Sequence, residues 1–162
     1  MKNTLSIIAF ALTTVLGFSQ NQDRPVGDFT GIKAGGNFKI TLSQGDVNTL
    51  KVDASEKDQG KIKTEVKDGN LIISGEGDDD VKIHITVKNL NMLEASGASS
   101  VKTDNQIVAD KLKLEASGAG SIKMNVKANE ISGLVSGAGG VKLMGTSQQL
   151  SFDVSGAGSL KA

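Results

Sequence analysis

A single histidine, a run of acids, a pair of glutamates and a recurrent column of lysines are the residues here whose types and spacing could do chemistry. Glu76, Asp78, Asp79 and Asp80 precede His84, the only histidine. Carboxylates gathered in a loop are the usual ligands of calcium. The spaced D-x-D-x-D-G pattern that aims such carboxylates at one ion is missing, and consecutive aspartates entering a strand point in different directions. The run reads as a solvated turn, and no metal or cofactor site is assigned.

Glu94 and Glu115 occupy equivalent positions of a repeated segment, where stacking would bring two carboxyls to the spacing of about 5 Å that a retaining glycosidase uses. That column continues as Leu134 and Asp153. Lysines lie close by in sequence and no aromatic platform is present to hold a sugar, so the glutamates read as solvated strand charge. A serine nucleophile would need His84 as its base, yet no spacing ties that histidine to a particular serine or acid. Between Ile83 and Ile85 it reads as an outward strand residue. "SGAGS" is not a phosphate loop, since a strand follows its glycines where a nucleotide site needs a helix N-terminus. No catalytic residue is assigned, and a polysaccharide-acting enzyme is the most distant reading.

The remaining pattern is Lys102, Lys123, Lys142 and Lys161, one per repeat, and it makes sense only through the elements that carry it. "LEASGASSVK" at 93–102 returns as "LEASGAGSIK" at 114–123, "GLVSGAGGVK" at 133–142 and "FDVSGAGSLK" at 152–161. The serines that open each corner, Ser96, Ser117, Ser136 and Ser155, stand 21, 19 and 19 residues apart. A period near 20 belongs to stacked repeat architectures.

Before each corner the side chains alternate with the period of a strand: Leu112, Leu114 and Ala116 to one side, Lys113, Glu115 and Ser117 to the other. Ile131, Gly133 and Val135, then Leu150, Phe152 and Val154, repeat the inward column. After each corner a second short strand, such as Val101-Lys102-Thr103, places one lysine outward between inward neighbours. Glycine supplies the positive φ of the turn, Ala98, Ala119, Ala138 and Ala157 are small enough to tuck into the corner, and the serines can form a ladder there. The pattern predicts an all-β, single-stranded right-handed parallel β-helix with coils of 19–21 residues, each pairing with its neighbours at about 4.8 Å.

Phe29 to Leu90 alternates with less regular spacing. Phe38–Leu42, Leu50–Val52, Leu71–Ile73 and Val81–Val87 read as strands, and Asp68-Gly69 suits a tight hairpin turn. This part belongs to the same domain.

The chain's 162 residues are a single-domain length. Met1–Thr4 is a short basic start, Leu5–Phe18 an apolar run too short for the roughly 20 residues of a bilayer span, and Gly17-Phe18-Ser19 a small-residue cleavage signal. Residues 1–19 are therefore expected to be a signal peptide cut between Ser19 and Gln20, 20–27 a polar leader, and 28–162 the folded domain. Cysteine is absent, which excludes lipobox anchoring and disulfides. Removing Lys2 leaves 17 basic residues against 18 acidic ones. With one arginine and neither Trp nor Tyr, that balance argues against nucleic acid.

An exported chain with "FTGIKAGGNFKITLSQGD" at 29–46, "VKDGNLIISG" at 66–75 and recurrent "SGAGS" corners resembles the bacterial GIN domain family, head domains assigned to autotransporter adhesins and also classed as a domain of unknown function. The likeness covers essentially the whole mature chain and implies a right-handed β-helix in an envelope or secreted protein. It carries no assigned site residues. Ending at Ala162, just after a repeat, the chain is expected to be at most a passenger portion. The expected function is a non-enzymatic, adhesin-like module of the periplasm, cell surface or extracellular space whose partner is a surface glycan or envelope protein. A purely structural spacer is the alternative. The binding face is expected at Lys102, Lys123, Lys142 and Lys161, where a ladder of like charges would favour an extended polyanion such as an acidic polysaccharide. Glu94, Glu115 and Asp153 are the acids expected to neutralise it, and Met92 and Leu134 the residues that an apolar docking patch would use.

Overall fold

A computed structural model describes residues 20–77 and 81–162. The expected signal peptide and Asp78–Asp80 lie outside the described residues. In chain order the elements are β1 (Gln20–Arg24), β2 (Gly31–Gly36), β3 (Lys39–Gln44), β4 (Thr49–Ala54), α1 (Glu56–Gln59), β5 (Lys63–Lys67), β6 (Asn70–Ser74) and β7 (Lys82–Val87). There follow β8 (Met92–Gly97), β9 (Ser100–Thr103), β10 (Ile107–Ala116), β11 (Ser121–Val135), β12 (Gly140–Val154) and β13 (Ser159–Lys161). Among the described residues the fold is all-β apart from one helical turn, and the 13 strands described belong to one open, curled sheet.

Period-two alternation produces these strands and their core. In β7, Ile83, Ile85 and Val87 are buried while Lys82 and His84 are exposed. The repeats pair in parallel, in register and column on column. Leu93 lies beside Leu114, Leu114 beside Gly133, and Gly133 beside Phe152. Stacking closes the inward columns over one another, and Leu93, Leu112, Leu114, Ile122 and Val135 are all essentially inaccessible to solvent. The outermost layer differs, since Leu150 and Val154 each stay 46% exposed.

Short strands follow the first and last of the four repeat corners, as β9 and the three-residue β13, but not the two between them. β9 has four residues, but β11 and β12 run on for 15 each, bending from one corner round to the next. No proline interrupts Asn125–Glu130, and parallel partners pair most of that stretch on both sides. Continuous pairing satisfies the backbone better than a break would.

The early layers stack out of chain order. β6 and β7 pair with the outer edges of β2 and β3, whereas β8 and β9 pair with the opposite edges of those same strands. The second layer in sequence is thus the first in space, and the chain between β7 and β8 crosses back over the layer it skipped. Side chains clasp this crossing. Gln44 donates to the carbonyls of Lys88 and Val108 and accepts from the Val108 N–H, while Asn105 exchanges two hydrogen bonds with the Gln44 backbone. Antiparallel strands finish this end of the sheet: β4 on β7, β1 on β4, and β5 on β6. The Asp68-Gly69 turn joins β5 and β6 with φ of 50° and 73°, as a two-residue hairpin requires. Arg24 ties β1 to α1 and β5 through the Gln59 and Ile62 carbonyls and Thr64. Within the expected leader, Gln20–Arg24 is thus a paired strand.

The corners use glycine as expected and alanine otherwise. Gly97, Gly118, Gly137 and Gly156 have φ of 70°, 67°, 77° and 77°, a region L-residues avoid. Ala98, Ala119, Ala138 and Ala157, expected to tuck inward, are exposed. The next position turns in instead: Ser99 is fully buried, and Gly120 and Gly139 are buried after it. A Cβ on Gly120 would lie 2.4 Å from the Ala95 carbonyl oxygen, so in that layer the inward position that Ser99 fills has no room for a side chain. The corner serines form no ladder with one another among the described residues; Ser96 donates to the Ala34 carbonyl of the adjoining layer.

Candidate binding face

Two sets of outward columns leave each corner. On the strands that follow it, parallel register sets Lys102 beside Lys123, Lys123 beside Lys142 and Lys142 beside Lys161. All four are exposed, on rungs about 4.8 Å apart. The same row continues toward the N-terminal end of the sheet as Thr41, His84 and Lys51. Lys39 and Lys82 pair with each other one column away. Among the described residues none of these lysines has a carboxylate within ion-pairing distance. Beside the lysine column runs one of small side chains, Ser100, Ser121, Gly140 and Ser159, which leaves a low shoulder along the ridge.

The strands that precede the corner neutralise their charge locally. Lys33 pairs with Glu94 at 3.3 Å, Lys113 with Glu115 at 2.6 Å, and on the connecting side Lys111 with Glu130 at 2.8 Å. The hydrogen bond that Lys113 donates to Glu115, then the charge of that carboxylate, raises the pKa of Lys113, and Glu130 does the same for Lys111. The acids expected to neutralise the ladder therefore lie on the other side of the corner, because strand alternation restarts there. Glu94 and Glu115 are Cα partners, but each carboxylate is engaged by a lysine. Met92 and Leu134 are separated by the Lys113–Glu115 pair and form no joint apolar patch.

Residues 28–162 match the model of the family described as "putative auto-transporter adhesin, head GIN domain". The chain belongs to the GIN domain family. No curated protein matches it. Among solved structures it resembles one described as a putative lipid binding protein from Parabacteroides distasonis, at 20% identity and a TM-score of 0.70, covering 88% of this chain and 73% of that one. It also resembles a putative adhesin from the same organism, at 20% identity and a TM-score of 0.67, covering 90% and 74% of the two chains. A putative adhesin from Bacteroides fragilis follows, at 18% identity and a TM-score of 0.54, covering 88% and 95%. At these identities the likeness is one of fold.

On this GIN domain the row through His84 runs into a groove of about 810 Å3 between β1 and the end of β9. Its floor holds Lys51, His84 and Thr41, its sides Asp23 and Asp104. Alternation alone marks Thr41, His84 and Lys51 as outward. Their junction with Lys102 was illegible in sequence, because it depends on β7 and β4 stacking outside β3. Among the described residues no cluster of His, Asp and Glu could hold a metal ion, and no helix is long and apolar enough to cross a membrane.

Proposed function

We propose that this GIN domain is an exported, non-enzymatic adhesin-like module whose lysine column binds an extended polyanion. The observation that carries the reading is the contrast between Lys102, Lys123, Lys142 and Lys161, stacked and unpaired, and the paired lysines before the corner. Like charges directly opposite in a sheet destabilise it, so a column of them has a rationale when an anionic chain lies along it. Export is supported by the basic start and apolar run before Ser19. The adhesin descriptions of the family and of similar structures agree with a place in the periplasm, on the surface or outside the cell. The engaged states of Glu94 and Glu115 speak against glycan cleavage. Constant parallel register, 19 residues per layer from β11 to β13, supports the right-handed β-helix as the scaffold.

Retention on an acidic polysaccharide, measured for the wild type and for a variant with Lys102, Lys123 and Lys142 changed to Ser, tests the proposal. The wild type should be retained at low salt and released as the Debye length shrinks from about 10 Å at 0.1 M; the variant should elute early. Equal elution of both would leave the domain as a structural spacer. For export, the mature protein should begin at Gln20 by mass spectrometry, and a full-length membrane-bound form would contradict it.

A further inference from the structure

The groove beyond the ladder adds information that the lysines alone lack. Asp23 stands next to Lys51 across β1 and β4, and Asp104 follows Lys102 by two residues, in the bend just after β9, and lines the groove. Between them lie Lys51, His84 and the hydroxyls of Thr41 and Ser43. No hydrogen bond or ion pair among the described residues engages the side chains of these six. Its volume falls within the range of small-molecule sites, about 300–1,000 Å3.

From these groups we infer that the groove is a sugar-binding site, which makes the ligand of the whole face a uronic-acid-bearing polysaccharide. The inference rests on the lysine column binding a polyanion. An ionised carboxylate only accepts hydrogen bonds, so whatever sits between Asp23 and Asp104 must offer donors. Sugar hydroxyls do so. The phosphates of a polyphosphate, a nucleic acid backbone or an anionic lipid surface offer none when ionised, and are repelled by both aspartates. Lys51 and His84 on the floor complement the uronate carboxylate and ring oxygens, and the column from Lys102 to Lys161 takes the following acidic units.

Titrations of polygalacturonate and of inorganic polyphosphate matched in total charge, at low salt, test this on the wild type, on Asp23→Asn/Asp104→Asn and on the triple lysine variant. Hydrogen bonds to charged groups contribute about 1.5–3 kcal/mol, so the wild type should prefer polygalacturonate by about tenfold or more. The aspartate variant, with both sites exposed and its melting temperature unchanged, should bring the preference close to parity. The lysine variant should weaken both ligands and keep the preference. Equal binding of both polyanions by the wild type, or a preference that survives the aspartate changes, would overturn the sugar site and leave the ladder standing. Failure of both polyanions to bind would remove the ladder and the sugar site together.

Discussion

Lysine follows each glycine corner of the repeat and precedes the corners at Gly36 and Gly118, and its surroundings differ between the two sides. Before the corner, Lys33 and Lys113 each meet a glutamate within 3.3 Å. After it, Lys102, Lys123, Lys142 and Lys161 meet one another. Both sides share one core, and stacking multiplies whatever each column contains. A strand whose outward residues alternate Lys and Glu becomes neutral when stacked. A strand with one outward lysine becomes a ridge of charge.

The comparison requires that the two sides share that core. Leu114, fully buried before the corner, and Ile122, 1% exposed after it, should be equally intolerant of charge. Either residue changed to Lys should cost at least about 3 kcal/mol in chemical denaturation, as an unpaired buried charge does. A large loss on one side only would mean that the other is not core.

The corner that separates the sides is the next largest element. Gly137 has φ of 77°, and a Cβ there would lie 2.8 Å from the Gly118 carbonyl oxygen. Gly137→Ala should therefore cost about 1–3 kcal/mol. Ala138→Ser, at the exposed neighbour, should change the denaturation midpoint little. If the two substitutions were equal, the corner would not be held by its glycine.

Those corner residues also show what sequence could and could not say. Strands, repeat, inward columns and lysine column were legible, because a period of two and a period near 20 are written in residue types. The alanine assignment failed because side-chain direction through a tight turn depends on φ and ψ at each glycine, which composition does not encode. The layer order failed to appear for a different reason: β6 and β7 stack outside β2 and β3 through backbone pairing, and the clasps that hold the crossing, Gln44 and Asn105, are single polar residues with no periodicity. α1 was missed because four residues carry no helical period; Ser55 caps it by accepting from the Asp58 N–H. The groove residues Asp23 and Asp104 depend on that same stacking.

At the outermost layer the inward column loses its cover, which sharpens the role of stacking. Phe152 pairs with Gly133, its ring standing where a Gly133 side chain would point, and it remains partly exposed. Phe152→Lys, equivalent in sequence to Leu114→Lys, should cost about 1 kcal/mol, since the lysine stem still covers part of the layer while its charge reaches water. A cost as large as that at Leu114 would mean that something seals this end in solution.

The smallest effect bears most directly on the two sides. Lys113 is 57% exposed as a side chain and Glu115 26%, so their ion pair is worth little in water. Removing it leaves Glu115 beside Glu94 with Lys33 as the nearest counter-charge. Lys113→Ser should therefore destabilise by up to about 0.5 kcal/mol. Lys123 sits between Lys102 and Lys142 and has no carboxylate within ion-pairing distance among the described residues, so Lys123→Ser relieves repulsion on two rungs and should stabilise by a similar amount, up to about 0.5 kcal/mol. Added salt should shrink both effects toward zero by screening. Paired denaturation curves at low and high salt measure the sign directly. If both substitutions destabilised the domain and salt changed neither, the lysines would act through their alkyl stems, and the electrostatic contrast between the two sides would carry no energy.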